Sequence, residues 1–318
     1  SGHIPERTLW LSFGHDEEVG GKNGAQTIAE LFKKRGIHFD FVLDEGGLII
    51  ENAMDGLEAP MAMIGISEKG YVTLSLTATL KNGGHSSVPP KETAVGMLSE
   101  AIYQLNQNPF PAKIDGAVGQ MFDFTGPEMG FFHKLLFSNL WITEGLLTDN
   151  LSQKNTSNAL IRTTIAPTMI RGGFKDNVLP TKASAKINFR ILPGETTETV
   201  LNRVRKVIDN ERIIVELSDA GNITEPSPVS DTESFGFQII HKTIREIFPE
   251  TVVTPSLVVG GTDGRHFTEV ADNVYRFIPL HIKNEDIKRV HGIDERVSTE
   301  NFEKAIRFYE RLILNACK

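Results

Sequence analysis

The chain has 318 residues, enough for two domains with cores of their own, and 40% hydrophobic with 23% charged residues is the composition of an ordinary globular protein. Its net charge of -8 argues against nucleic acid or an anionic membrane surface as partner, and a single cysteine, Cys317, excludes an internal disulfide. No stretch approaches the ~18 uninterrupted apolar residues of a membrane span.

Residues 8–13 (TLWLSF), short, apolar and closed by Gly14, predict a buried strand. Ala25, Ile28, Ala29, Leu31 and Phe32 fall at helical spacing, and Lys33, Lys34, Arg35 and Gly36 form the expected stop. FDFVL at 39–43 is the next strand, so this stretch predicts a βαβ unit whose two strands are parallel and share a sheet.

From Gly70 the pattern changes. Residues 71–80 (YVTLSLTATL) alternate apolar side chains with Thr and Ser, Gly83-Gly84-His85 turns the chain, and 92–105 reads as a helix. A second alternation at 183–191 (ASAKINFRI), a helix over 197–209 and a strand over 212–217 complete an α+β unit with one helical face. Glu225-Pro226-Ser227-Pro228 reads as the return linker. Beyond it come a helix over 232–248, strands over 252–259 and 274–280, and a last helix over about 299–315, capped by Ser298 or Thr299. The expectation is an α/β domain formed by 1–69 and 224–318, with an α+β domain, 70–223, inserted into it. Within the insert, Phe131, Phe132, Leu135, Leu136, Leu140 and Trp141 fall at helical spacing, with Phe122, Phe124, Leu146 and Leu147 nearby. These predict packed core, with a greasy groove for an acyl chain or bulky side chain as the sharper reading.

Gly14-His15-Asp16-Glu17-Glu18 directly follows the first predicted strand. Alone, such a triplet of acids is a solvated loop. Asp44-Glu45-Gly46-Gly47, however, ends the next parallel strand, where open sheets collect ligands, and carboxylates gathered there call for a divalent cation. His291, in KRVHG, adds an imidazole of the kind found beside carboxylates on zinc, although singly it is an ordinary loop histidine. GGTDGR at 260–265 offers backbone amides and the Thr262 hydroxyl to a carboxylate, or is simply a glycine-rich turn, and lacks the pattern of a phosphate loop. HExxH, GxSxG and SxxK are absent.

Taken in order, GHDEE, LDEGG, GHSSVPP, DNVLP, NFRILPGET, GGTDGR and KRVHG resemble the co-catalytic di-zinc metallopeptidase family of aminoacylase, carboxypeptidase G and carboxypeptidase S. The run SEKG…GHSS…PPKET is most similar to carboxypeptidase S and the N-fatty-acyl-amino-acid synthase/hydrolases. The resemblance implies a zinc-exopeptidase-like α/β catalytic domain, with a largely parallel sheet and flanking helices, and an inserted α+β ferredoxin-like lid through which two copies dimerise. It implies hydrolysis of an amide bond next to a free carboxylate, in an N-acyl amino acid or small peptide. Glu17 would be the general base, Glu18 and His291 ligands of one zinc, and Asp44 a ligand of the other. His85 would reach the neighbouring subunit's site to stabilise the oxyanion, with Asn177 and Arg190 on the substrate, Arg190 as carboxylate anchor, and Gly261 and Thr262 in the loop beside that carboxylate. Read from the residues alone, His85 and Asn177 serve turns and Arg190 is a strand-face charge.

The family also places the histidine of an HxD pair and a bridging aspartate upstream of the GHDEE strand. Nothing before Thr8 supplies them. The chain is therefore expected to lack the first part of its catalytic domain and to bind metal weakly or not at all. A metal-free dimeric binding module and a zinc aminopeptidase are the alternatives.

Overall fold

The computed structural model describes residues 4–218 and 223–318, and of Asn284 the backbone only. After a 3-10 turn at Glu17–Val19 the chain forms α1 (Ala25–Lys34), β1 (Phe39–Asp44), β2 (Ile49–Glu51), β3 (Met61–Glu68), β4 (Gly70–Thr79), β5 (Gly84–His85), α2 (Ala94–Gln107) and α3 (Gly116–Thr125). Then follow α4 (Phe131–Phe137), α5 (Leu140–Leu151), α6 (Asn155–Ile161), β6 (Thr164–Arg171), β7 (Val178–Leu179), β8 (Lys182–Ile191), α7 (Thr197–Ile208) and β9 (Ile213–Leu217). The last stretch holds α8 (Phe235–Ile247), β10 (Val252–Val258), β11 (Ala271–Arg276), β12 (His281–Lys283) and α9 (Thr299–Ala316). Two compact units result: the chain up to Glu68 with Ile114–Asn150 and everything from Ser227 onward, and Lys69–Lys113 with Leu151–Pro226.

The first unit is α/β. Its sheet runs β1-β11-β3-β2-β12, with β10 also on β3; β1 and β11, β3 and β10, and β2 and β12 are parallel, while β2 is antiparallel to β3. Residues Val252 to Leu257 of β10 are all buried, as in a strand covered on both faces. Helix α1 turns Ala25, Ala29 and Phe32 toward Val270 and Val274, and that stripe holds it to the sheet. Helix α9 starts at Ser298, whose side chain accepts the Asn301 N–H, and buries Phe308 and Leu312.

The second unit is α+β, a four-stranded antiparallel sheet in the order β6-β8-β4-β9. Strict alternation decides its buried face: Val72, Leu74, Leu76 and Ala78 of β4 and Ala183, Ala185, Ile187 and Phe189 of β8 share one core with α2 and α7. Thr93 caps α2, and Thr196 with Thr199 forms a capping box on α7.

Three expectations are corrected. Residues 8–13 form no strand: β1 takes β11 as its parallel neighbour, from Phe39↔Ala271 to Asp44↔Arg276, instead of this segment. A cavity of about 780 Å³, lined by residues 7–14, by β1 and by Phe235, Tyr309 and Leu312, separates the two. Without a ladder an apolar run is only extended chain, and Leu11 and Phe13 are exposed. Second, Ile114–Asn150 belongs with the α/β unit instead of the insert, because α3 lays Val118, Met121 and Phe122 along β10, where the Thr254 hydroxyl donates to the Met121 carbonyl at 3.3 Å. Third, the apolar run over α4 and α5 is not core. Neither helix buries a residue, and Phe131, Phe132 and Trp141 are 74%, 77% and 82% exposed. The apolar side chains of α5 are spread around the helix and present no single stripe to pack.

Candidate active site

The acidic loop is a tight turn. Gly20 and Gly21 donate to the Glu17 and Asp16 carbonyls, each at 2.8 Å, and both glycines have positive φ. A Cβ on Gly21 would lie 2.2 Å from Asp263 Oδ1, so glycine is what lets this loop approach the GGTDGR segment. Asp16 Oδ2 accepts the Asn23 N–H at 2.8 Å and ties the loop to the start of α1.

The loop brings Glu17 and Glu18 into the neighbourhood of Asp44, Glu45 and Asp263. Glu17 is pushed above the ordinary glutamate range by desolvation first, then by the charges of Glu18 and Asp263, with the Arg265 guanidinium opposing. Glu45 is pushed up to about 7 by desolvation and by the charges of Asp44 and Glu17, with His291 opposing. Asp263 is raised by desolvation and by Asp44. His291, at φ 55°, places Nδ1 3.4 Å from Glu18 Oε1. Of the residues singled out in the sequence, Glu17, Glu18, Asp44 and His291 thus all lie within electrostatic reach of Glu45, and Glu18 and His291 are in contact. The route differs from the one expected, since the loop and not a strand pairing carries Glu17 there.

Asp44 ends β1, and its Oδ2 accepts the Gly264 N–H. Gly261 packs against Arg265, whose Nη1 would meet a Cβ there at 2.5 Å. Thr262 is 2% exposed, and its N–H and hydroxyl both donate to Glu68 Oε2 at 3.0 Å. Its hydroxyl is therefore committed to a buried carboxylate.

In the second unit His85 pairs with Val178, and its Nδ1 accepts the Ser87 N–H at 3.3 Å and lies 2.9 Å from the Ser87 hydroxyl. In the tautomer whose Nδ1 accepts the Ser87 N–H, the proton is on Nε2. Asn177 Nδ2 lies 3.4 Å from Nε2, and Asn177 Oδ1 is buried without a hydrogen-bond partner. Arg190 stands elsewhere. It pairs with Tyr71, over whose ring its guanidinium lies at 4.8 Å, at the far end of β8 from His85 and Asn177. From Lys182 to Arg190 the strand spans about 26 Å at the usual rise per residue.

Carboxylates and one imidazole suit zinc chemically. Among the described residues, however, no three His, Cys, Asp or Glu side chains are grouped to hold an ion, and Glu18 with His291 is a pair. The residues present do not make a full set. Four residues were not picked out from sequence: Asp263, Arg265, Glu68 and Arg276. The last had a usable sign, a charge inside the apolar strand VYRF, which must be paired if buried.

Comparison with known proteins gives the relatives of the chain and of its fold. The peptidase dimerisation domain family matches residues 66–216. The chain is 42% identical over 319 residues to probable carboxypeptidase S-like 2 of Dictyostelium discoideum, covering 100% of this chain and 61% of that protein. It is 40% identical to an N-fatty-acyl-amino acid synthase/hydrolase of Danio rerio, covering 99% and 61% respectively. Among solved structures, an M20 family metallo-carboxypeptidase from Sulfolobus solfataricus superposes with a TM-score of 0.59 at 16% identity, over 95% of this chain and 68% of that one, and so shares the fold. The chain spans about three fifths of the length of these curated relatives.

Proposed function

The chain is a relative of the M20 peptidases, and from that premise we propose that it carries one part of the active site of a zinc-dependent hydrolase that cleaves an amide bond next to a free carboxylate, in an N-acyl amino acid or small peptide. The observation that carries this reading is that Glu17, Glu18, Asp44 and His291, from both ends of the chain, all act on Glu45, with Glu18 and His291 in contact. Glu18, Asp44 and His291 would be this chain's share of a zinc set, whose chemistry is polarisation of the scissile carbonyl.

Glu17 is the general base. It takes a proton from the attacking water and delivers it to the leaving nitrogen. His85, with its proton on Nε2, is the donor to the developing oxyanion. Arg190 grips the substrate carboxylate. Because His85 lies on the β5-β7 pair and Arg190 at the far end of β8, a small substrate touches both only when a second copy supplies one of them, which favours a homodimer.

The test compares zinc-supplemented protein on an N-acyl amino acid and on its methyl ester. Hydrolysis of the free acid at least tenfold faster supports the reading. Equal rates remove the carboxylate anchor, and no hydrolysis of either leaves the dimeric binding module.

A further inference from the structure

Glu68 and Arg276 form a fully buried ion pair, 2% and 1% exposed, with Arg276 Nε donating to Glu68 Oε2 at 3.0 Å. Burying two charges in a small α/β unit is costly unless each finds hydrogen bonds, and apolar side chains of similar volume would serve packing as well. The surrounding backbone is shaped for the pair. A Cβ on Gly65 would lie 2.5 Å from Val258 and 3.0 Å from the Arg276 side chain, and one on Gly47 would lie 1.9 Å from the Met63 carbonyl and 2.7 Å from that of Arg276. Arg276 Nη1 donates to the Val274 carbonyl at 3.0 Å.

The pair points toward the site. The same Glu68 oxygen that accepts from Arg276 accepts both the N–H and the hydroxyl of Thr262, at 3.0 Å each. The Thr262 hydroxyl accepts the Gly264 N–H at 3.2 Å, and that N–H also donates to Asp44 Oδ2. Arg276 is meanwhile the β11 partner of Asp44 in the ladder. The Asp44 side chain and the Asp44 backbone are thus fixed from the same buried pair, by two routes.

We propose that Glu68 and Arg276 are positioning residues that hold the Thr262–Gly264 turn and, through it, set the direction of the Asp44 carboxylate. The role of Asp44 in the reaction rests on the function proposed above; the geometry of the turn does not. Thr262 is the hinge of the arrangement, its hydroxyl turned inward to Glu68.

The experiment uses the full chain. Amide exchange is measured residue by residue on the wild type, on Thr262→Val and Thr262→Ser, on Glu68→Gln, and on the double variant Glu68→Leu with Arg276→Met, in which apolar groups replace the pair and the fold is retained. The expected result is exchange at Thr262 and Gly264 faster by about tenfold or more in Thr262→Val, Glu68→Gln and the double variant, with Val200 and Val204 of α7 unchanged and Thr262→Ser restoring protection. In parallel, kcat on an N-acyl amino acid falls about tenfold in the double variant with KM within about twofold. A folded double variant with wild-type exchange at Gly264 overturns the proposal, as does acceleration spread evenly over the whole chain. A wild type that shows no hydrolysis refutes the proposed function and leaves the exchange result to decide the positioning role. If Glu68→Gln fails to fold, the double variant and the two Thr262 variants decide the matter.

Discussion

Glu18 Oε1 and His291 Nδ1 lie 3.4 Å apart, an acid from the first loop and an imidazole from the last, both exposed. Exposed and only two in number, they predict weak zinc binding by this chain, with a Kd weaker than about 1 µM where closed structural sites reach nanomolar or below. His291→Ala lowers that affinity about tenfold or more, read by competition with a chromophoric chelator. Two tightly held zincs per chain after dialysis against chelator would refute the expectation.

Glu17→Gln lowers kcat by about 10² to 10⁴, the usual range for loss of a general base, with KM changed by less than about threefold. A base must be unprotonated, and Glu17 is raised by desolvation and by Glu18. Activity therefore falls as pH drops through the Glu17 titration, and the Gln variant loses that acid limb. A Gln variant with wild-type turnover, or one that keeps the wild-type acid limb, contradicts the assignment.

The placement of Arg190 and His85 gives a prediction that single variants do not. If each site takes Arg190 from one subunit and His85 from the other, His85→Ala and Arg190→Ala are each nearly inactive as homodimers. Mixed in equal amounts and re-assembled, half the dimers carry one intact site, so activity returns to about a quarter of wild type. Mixtures that stay inactive would mean that one subunit supplies both residues to its own site.

How much of this was legible in the sequence differs between the two units. In β4 and β8 the alternation is strict because one face is buried and the other is not, so position and facing were both readable. Helix α1 announced itself by its stripe and its basic stop. Residues 8–13 misled because a short apolar run states that it is apolar and not that a partner strand exists; β1 found its neighbour in β11, far along the chain. Strand β3 (MAMIGISE) passed unnoticed for the opposite reason, since nearly all of it is buried and no alternation marks it. At the site, acids at loop and strand ends could be read as a group. The inward commitment of Thr262 could not, because Glu68 lies 194 residues away in sequence.

The openness of α4 and α5 makes an acyl-chain groove testable without unfolding the protein. Phe132 and Trp141 are so exposed that replacing both with Ser leaves Tm within about 2 °C, since surface substitutions away from special features change stability by about 0.5 kcal/mol or less. If these helices grip an acyl chain, the same double variant loses about tenfold in kcat/KM on long-chain N-acyl amino acids and nothing on N-acetyl ones. Equal loss on both, or none, removes the acyl-chain reading.

Lys69 is 2% exposed at the start of the second unit, and its Nζ donates to the Ala159 and Arg162 carbonyls at 2.9 and 2.7 Å. A neutral amine has two N–H bonds for those two acceptors; the third proton of an ammonium has no partner among them. Desolvation first, and then the Arg190 charge, lowers its pKa from 10.5 to about 7. Between about 7 and 10.5 the unfolded chain therefore binds a proton that the folded chain does not, and folding is favoured as pH rises through that window. Relative to Lys69→Met, in which an apolar chain of similar length removes the titration, wild-type stability rises from pH 6 to pH 10, by a few kcal/mol at most. Denaturant unfolding of the two proteins at matched pH values reads the difference directly. A gap that is constant across the range, or one that closes in the opposite direction, would mean that Lys69 is buried as the ammonium.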